Sequence, residues 1–138
     1  MINIYISIDG DNIGKKLEKY ILNEDLAGVK EFSHQITQSI RNFEKAIKET
    51  GGDIYFSGGD NILAFVKDEY LNNIIQLVKE VNTHSNYSFS VGLGSTLRDV
   101  YLALKYSKSI FPGTVVKAVA DKGKVTFELV DPSEVRSL

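Results

Sequence analysis

The sequence contains no cysteine. This absence excludes disulfide bonds, zinc fingers and thiol catalysis, and it is compatible with a reducing cytoplasm. An excess of charge of one sign is also lacking, because 16 lysines and arginines are balanced by 18 aspartates and glutamates, for a formal net charge of -2. A protein that wraps long nucleic acid usually carries a strong basic field, so we expect no such partner.

Long apolar runs are missing as well. No segment approaches the roughly 20 residues that a membrane helix requires, and the amino terminus begins directly as a strand rather than as a signal peptide. The length of 138 residues suits one ordinary domain with one hydrophobic core. We therefore expect residues 1–138 to form a single cytoplasmic domain without a membrane partner.

Apolar and polar residues alternate in several short segments, which is the pattern of strands with one buried face. Residues 2–8 show this alternation most clearly, and it places Asp9 on the polar face. Residues 54–66 predict a hairpin, and residues 114–130 predict a closing hairpin. In residues 87–94 the second face holds only serine and glycine, so we expect this face to leave room for a ligand.

Apolar residues recur at every third or fourth position in three other segments, 32–47, 71–81 and 97–104, which predicts amphipathic helices. The resulting order, βαββαβ followed by a hairpin, is that of a ferredoxin-like fold. We therefore predict an α+β protein with its helices on one face of a mostly antiparallel sheet and a C-terminal hairpin. In this fold the end of the first strand and the turn of the central hairpin share one sheet edge, which brings Asp9 and Asp60 together.

Two acidic motifs occur where strands are predicted to end. Asp9-Gly10-Asp11-Asn12 follows the first strand, and Gly58-Gly59-Asp60-Asn61 forms the turn of the central hairpin. Glycine allows backbone and ligand to approach closely, and carboxylates are the hard oxygen ligands that Mg²⁺ prefers. The two motifs together predict a divalent metal site for phosphate chemistry. Taken alone, the first motif is equally well explained as a capped helix start and the second as a hairpin turn.

The segments ISIDGDNIG and SGGDN together resemble the paired motifs of GGDEF and CRISPR polymerase palm domains, most closely those of the stand-alone minimal CRISPR polymerase family. FSVGLG resembles the next palm strand, and ALKYSK resembles the helix that carries a phosphate-contacting lysine in GGDEF enzymes. The resemblance covers nearly the whole chain. It implies a palm that uses Mg²⁺ or Mn²⁺ to convert ATP into a cyclic oligonucleotide second messenger, most simply a cyclic di-adenylate, in prokaryotic antiviral defence.

The resemblance also implies a role for each residue of the two motifs. Asp9 and Asp60 would be the catalytic, metal-binding carboxylates, and the carbonyl of Gly10 would be a further ligand. Asp11 would be either a second-metal ligand or a loop anchor. The helix that follows would offer its first N–H groups to the triphosphate, since a helix amino terminus is an anion site. The remaining residues expected to contact the nucleotide are Asn12, Ile13, Gly14, Gly58, Gly59, Asn61, Lys105 and Lys108.

Cyclising two nucleotides imposes a further requirement, because each ribose hydroxyl must reach the α-phosphate of the other nucleotide. Two palms that face each other meet this requirement symmetrically, so we expect a homodimer with a two-fold axis. The cyclic product would pass to an effector that the sequence does not identify.

The chain departs from the family pattern at several positions. Asn61 occupies the place where these palms usually carry a second acid, which leaves the number of metal ions open. Leu17 occupies the place of the guanine-reading asparagine of GGDEF enzymes, and no RxxD product-inhibition motif precedes Gly58. Both of the latter departures favour adenine over guanine.

Two other classes of function remain open at this stage. One is a catalytically silent palm that binds nucleotides or cyclic dinucleotides as a sensor, which Asn61 favours. The other is a DxD phosphohydrolase in which Asp9 is a covalent nucleophile and Asp11 the general acid. The residue after this motif and the short chain both argue against the phosphohydrolase.

Overall fold

One six-stranded sheet runs through residues 2–130, the part of the chain that the computed structural model describes. Met1 and residues 131–138, which belong to the predicted domain, lie outside this part. The strands are β1 (Asn3–Gly10), β2 (Asp53–Gly58), β3 (Asn61–Lys67), β4 (Phe89–Gly94), β5 (Val115–Asp121) and β6 (Lys124–Leu129). The helices are α1 (Ile13–Leu22), α2 (Leu26–Glu49), α3 (Leu71–His84) and α4 (Leu97–Ile110), and a short 3₁₀ turn (Asp68–Tyr70) precedes α3.

The strands lie in the order β2-β3-β1-β4-β5-β6. Only the β4–β5 pair is parallel, and the other four pairs are antiparallel. The first four strands have the ferredoxin-like order, and β5 and β6 extend the sheet as the predicted closing hairpin. The predicted α+β class with a mostly antiparallel sheet is therefore confirmed.

The main core lies between one face of the sheet and the helices α2 and α3. The alternation in β1 buries Ile4, Ile6 and Ile8, as the period of two predicts. The apolar stripe of α2 is also buried along its whole length, at Phe32, Ile36, Ile40, Phe43 and Ile47. Among the described residues no helix combines the length and apolar character needed to cross a membrane.

The fourth helix packs on the opposite face of the sheet. A Cβ atom on Gly92 would lie 2.6 Å from the backbone nitrogen of Leu104 and 2.6 Å from the carbonyl oxygen of Val100. A Cβ atom on Gly94 would lie 2.6 Å from the backbone nitrogen of Val100. The backbone of α4 therefore rests directly on β4, and a second apolar cluster joins Ala103 to β5.

This packing corrects two details of the sequence interpretation. The helices do not all lie on one face, and the small residues of β4 do not leave an open surface for a ligand. Glycine within a strand can mark the close approach of another backbone as well as a ligand site. Here the approaching backbone is that of α4, so the space for a nucleotide must lie elsewhere.

Candidate active site

The two acidic motifs meet at one edge of the sheet. The antiparallel pairing of β1 with β3 sets Asp9 opposite Asn61. At the next position the N–H of Gly10 donates a hydrogen bond to the carbonyl oxygen of Asp60 at 2.9 Å. Strand register alone therefore brings Asp9 and Asp60 together, as the order of elements predicted.

Gly10 allows the close approach of the two motifs. A Cβ atom at this position would lie 2.9 Å from Oδ2 of Asp60 and 2.5 Å from Cγ1 of Ile13. Both distances are shorter than ordinary van der Waals contacts, so any side chain here would push the Asp60 carboxylate away from β1. The carbonyl oxygen of Gly10 stays at the edge, where it accepts a hydrogen bond from Lys108 at 3.0 Å.

Asp11 is buried and fully hydrogen-bonded. Its Oδ2 accepts from Ser88 Oγ at 2.7 Å and from Gly113 N at 3.0 Å. Its Oδ1 accepts from Ser90 Oγ at 2.7 Å and from Lys108 Nζ at 3.0 Å. A carboxylate has about four lone-pair positions, and these four donors fill them. Of the two roles expected for Asp11, this geometry favours the loop anchor, and it leaves no free oxygen lone pair for general-acid chemistry.

Lys108, on the last turn of α4, joins the two carboxylates of the first motif. Its Nζ lies 3.2 Å from Oδ2 of Asp9 and 3.0 Å from Oδ1 of Asp11. Burial lowers the pKa of Lys108, but the hydrogen bond and charge of Asp11, together with those of Asp9, outweigh it and raise the pKa overall. The ammonium therefore stays charged and partly neutralises this acidic edge.

Asp60 forms no ion pair within the described residues. Burial raises its pKa, and the negative charge of Asp9 raises it further. A backbone hydrogen bond and the charge of Lys108 act in the opposite direction without cancelling the shift. The ionised form of Asp60 is thus disfavoured until a cation approaches it.

This raised pKa gives a prediction for stability. Below about pH 3.9, the ordinary pKa of aspartate, Asp60 is protonated in both the folded and the unfolded chain and changes nothing. Between about pH 3.9 and the higher folded-state pKa the unfolded chain ionises more readily than the folded one, so stability falls as the pH rises, and above the folded-state pKa the full penalty remains. We therefore expect Asp60→Asn to raise the melting temperature in metal-free buffer at pH 7, and this gain to shrink towards pH 4. Melting curves followed by circular dichroism at both pH values test this, and a gain independent of pH would contradict it.

The oxygen atoms at this edge suit a divalent cation that arrives with a nucleotide. No cluster of three or more acidic, histidine or cysteine side chains that could hold a metal ion occurs within the described residues. Mg²⁺ requires only one or two carboxylates when substrate phosphates complete its coordination shell. Asp9 and Asp60, with the carbonyl of Gly10, meet that requirement. Among the described residues, Oδ1 of Asn61 is the one buried side-chain oxygen or nitrogen without a hydrogen-bond partner.

The start of α1 lies next to these oxygens. Asn12 adopts the left-handed conformation with a φ of 54°, and its side chain makes no capping hydrogen bond to the helix that begins at Ile13. The first N–H groups of a helix have no partner within the helix itself. A Cβ atom on Gly14 would meet nothing within 4 Å, so the first turn is open to an approaching ligand. This helix start therefore retains the properties of an anion site.

A cavity of about 260 Å³ opens beside Asp60, between α1, α2 and the central hairpin. Its walls are mostly apolar, with two hydroxyl-bearing residues of α2 among the lining residues. The lining residues are Ile13, Gly14, Leu17, Phe32, Ser33, Ile36, Thr37, Gly59 and Asp60. A larger cleft of about 420 Å³ lies between α2 and the loop before β4, but no residue of either motif lines it. Of these two cavities, the smaller one adjoins Asp60. A third cavity, of about 310 Å³, is lined by Asp11 and Asn12 of the first motif but not by Asp60.

Three of the other expected residues have plain structural surroundings. Gly58 ends β2, and Gly59 adopts a φ of 58° in the turn, which glycine tolerates without strain. Lys105 lies with its Nζ 5.5 Å from the centre of the Tyr101 ring. Within the described residues no ion pair or hydrogen bond connects Lys105 to Asp9 or Asp60. The structure thus brings Lys108 to the site but not Lys105.

Sequence reasoning missed two groups of residues. Ser88 and Ser90, which hold Asp11, were interpreted only as small residues; their alternate positions, one directly before β4 and one within it, were an available signal. Ser33 and Thr37 were also missed. They lie four residues apart on α2, each directly after a buried residue of the apolar stripe, and such spacing places both on one side of the helix.

The sheet and its helices have the fold of the palm domains found in nucleotide cyclases and GGDEF proteins. The adenylyl cyclase CyaB from P. aeruginosa is similar with a TM-score of 0.61 and 14% identity, over 94% of this chain and 93% of that chain. An EAL/GGDEF domain protein from M. capsulatus has a TM-score of 0.57 and 15% identity, with 83% of each chain covered. A Csm1-Csm4 cassette in complex with cA4 is similar with a TM-score of 0.62 and 16% identity, over 88% of this chain and 22% of that chain. At such identities the similarity shows the fold alone.

The family itself is shown by the sequence. The model of the minimal CRISPR polymerase domain, mCpol, matches residues 5–118. The chain belongs to this family, and the resemblance found in the two acidic motifs is confirmed. No curated protein matches the chain.

Proposed function

We propose that this protein is a metal-dependent nucleotidyltransferase that converts ATP into a cyclic oligonucleotide, most simply a cyclic di-adenylate, and releases pyrophosphate. In this proposal residues 1–138 act as one palm in the cytoplasm, and the product serves prokaryotic antiviral signalling. The observation that carries the proposal is the meeting of Asp9, Asp60 and the Gly10 carbonyl at one sheet edge, next to an uncapped helix start and a cavity. Membership in the minimal CRISPR polymerase family supports the same reading.

Each residue of the edge then has a separate task. Asp9, Asp60 and the carbonyl of Gly10 would hold Mg²⁺ or Mn²⁺. When bound, such a cation activates the attacking ribose hydroxyl and neutralises charge on the leaving pyrophosphate. The first N–H groups of α1 bind triphosphate oxygens, and Lys108 adds positive charge beside them. Asp11 holds the loop between β1 and α1 in place through its four hydrogen bonds.

The cavity beside Asp60 supplies the place for the base. Apolar walls from Leu17, Phe32 and Ile36 suit the faces of a purine, and hydroxyl groups of Ser33 and Thr37 lie at the lining for its polar edge. Small-ligand sites commonly combine mostly apolar walls with a few polar groups in this way. An apolar Leu17 offers no hydrogen bond to the edge of guanine, which favours adenine.

An exposed aromatic surface supports the proposed homodimer. Tyr55 and Phe56 on the edge strand β2 are each 56% exposed. The ring of Tyr5 lies 6.2 Å from that of Tyr55 and 4.5 Å from that of Phe65, so the aromatic rings form one continuous surface. Contiguous apolar patches of this kind mark interaction sites on soluble proteins. Asp9 lies on the same face of β1 as Tyr5, which would set two active sites close to the two-fold axis.

Product analysis tests the proposal directly. The purified protein is incubated with each of ATP, GTP, CTP and UTP and with Mg²⁺ or Mn²⁺, and the products are resolved by chromatography and mass spectrometry. We expect a cyclic adenylate and pyrophosphate from ATP, and neither from the Asp9→Ala variant. Absence of product from every triphosphate with either metal would contradict the synthase.

Asn61 supports a second candidate, a silent palm that binds nucleotides or cyclic dinucleotides as a sensor. A neutral amide at this position removes one negative charge from the site, and its Oδ1 is buried without a partner. An incoming ligand could supply the missing donor. Tight binding of a ready-made cyclic di-adenylate by a protein that turns over no triphosphate would favour this candidate.

A further inference from the structure

Lys108 contacts oxygen atoms that the proposed function assigns to a metal ion. Its Nζ lies 3.2 Å from Oδ2 of Asp9 and 3.0 Å from the carbonyl oxygen of Gly10. Its third contact, at 3.0 Å, is with Oδ1 of Asp11, which takes no part in the proposed metal site. One ammonium therefore contacts two of the three proposed metal ligands and the anchor beside them.

A metal ion and the ammonium would compete for these oxygens. A Mg²⁺ ion bound to Asp9 and Gly10 would lie about 2.1 Å from each oxygen, while the ammonium lies about 3 Å from the same atoms. The two positive charges would be only a few ångströms apart, and at that separation repulsion in a partly buried site amounts to several kcal/mol. This repulsion favours the departure of one of the two, and the lysine has a flexible stem that allows it to move.

We propose that Lys108 is an internal cation that holds the metal ligands in place before substrate binds and that an incoming metal ion displaces from Asp9 and Gly10. This inference rests on the proposed function, because it concerns the same site. Asp11 retains the displaced ammonium nearby, since this carboxylate is held by Ser88, Ser90 and Gly113 independently of the metal. The freed charge is then available to the triphosphate that arrives with the metal.

This exchange couples metal binding to nucleotide binding. A metal ion alone must displace Lys108 and leave its charge without a new partner, so it binds weakly. A metal ion that arrives with a triphosphate provides the displaced ammonium with phosphate oxygens. Each ligand therefore strengthens the binding of the other, and by linkage the factor is the same in both directions.

The test measures metal binding without turnover. Free Mn²⁺ is followed by electron paramagnetic resonance in titrations of the whole protein, with and without the non-reactive analogue α,β-methylene-ATP. The main variant is Lys108→Gln, which removes the charge and keeps an N–H donor for Asp11. We expect it to bind Mn²⁺ alone at least about fivefold more tightly than the wild type, the low end of typical coupling, and to lose most of the mutual strengthening with the analogue.

Two further variants separate the possible causes. Lys45→Met removes an ammonium from an exposed ion pair with Glu49 at 3.9 Å, and we expect it to bind Mn²⁺ as the wild type does. Lys108→Met removes charge and donor together and should show the same tighter binding, with thermal melts in metal-free buffer to verify that both Lys108 variants are folded. Equal or weaker Mn²⁺ binding by folded Lys108 variants would overturn the inference.

The Asp9→Ala variant distinguishes failure of this inference from failure of the proposed function. If Asp9→Ala abolishes Mn²⁺ binding while the Lys108 variants bind no more tightly, the metal site stands and the internal cation is wrong. If Asp9→Ala binds Mn²⁺ as the wild type does, or if the protein adds no Mn²⁺ binding to that of the analogue alone, the metal site itself is wrong and the inference falls with it.

Discussion

Replacing Asp60 by alanine is expected to lower the rate of cyclic product formation by more than roughly 100-fold, since loss of even an outer partner of a metal ligand can cost that much. Asp60 lies in the turn between β2 and β3, where strand register sets it beside Asp9. No other described acid can replace it, because the oxygens of Asp11 are already filled by four donors. The rate of pyrophosphate release from ATP measures the effect.

The fold should survive this change. Asp60 is half-buried at a turn, and its ionised form is disfavoured there, so its removal takes away no favourable core contact. Asp11→Ala is the contrasting control, because it leaves buried donors without their acceptor and should lower the free energy of unfolding by about 3–5 kcal/mol. Urea titration compares the two variants. Normal turnover by Asp60→Ala, or unchanged stability of Asp11→Ala, would mean that the roles of the two acids are assigned wrongly.

The parts of the fold that follow from periodicity could be predicted from sequence. Burial along β1 and α2 repeats every two and every three to four residues because the chain geometry requires it. The meeting of Asp9 and Asp60 followed from the predicted order of strands and helices. In this fold the end of the first strand and the turn of the central hairpin lie at the same edge of the sheet. Neither prediction needed the contacts of any single side chain.

The position of α4 and the role of Asp11 could not be predicted in this way. A strand face of serine and glycine has two physical explanations, an open ligand site or a backbone packed against it. The pattern of residues in the sequence is the same in both cases, so it does not distinguish them. Asp11 takes its donors from Ser88, Ser90 and Gly113, which are 77 to 102 positions away in the chain. Only the folded structure shows that the hydrogen-bonding positions of the Asp11 carboxylate are filled.

Lys105 and Lys108 illustrate the same limit on one helix. They are three residues apart, and both were expected at the phosphates. Three residues turn a helix by roughly 300°, so the two side chains point about 60° apart around the helix axis. The helix α4 rests on β4 through Val100 and Leu104. This docking directs Lys108 to Asp9, while Lys105 contacts Tyr101. The orientation of α4 therefore decides which lysine belongs to the site.

The packing of α4 on β4 is also the contact that a single methyl group should disturb most. Gly92→Ala would place a Cβ atom 2.6 Å from the backbone of both Val100 and Leu104, and neither backbone atom can rotate away as a side chain does. We expect the free energy of unfolding to fall by about 2–3 kcal/mol, the upper part of the range for overpacking.

Gly14→Ala is the matched control, because a Cβ atom there meets nothing within 4 Å and the change should leave stability equal or up to about 1 kcal/mol higher. Urea denaturation followed by circular dichroism gives both values. Because Lys108 reaches Asp9 and Gly10 from the end of α4, Gly92→Ala should also loosen the lysine from the acidic edge while the acids themselves stay in register on β1 and β3. A Gly92→Ala protein as stable as Gly14→Ala would show that α4 does not rest on β4, and the small-residue face would again be open to a ligand.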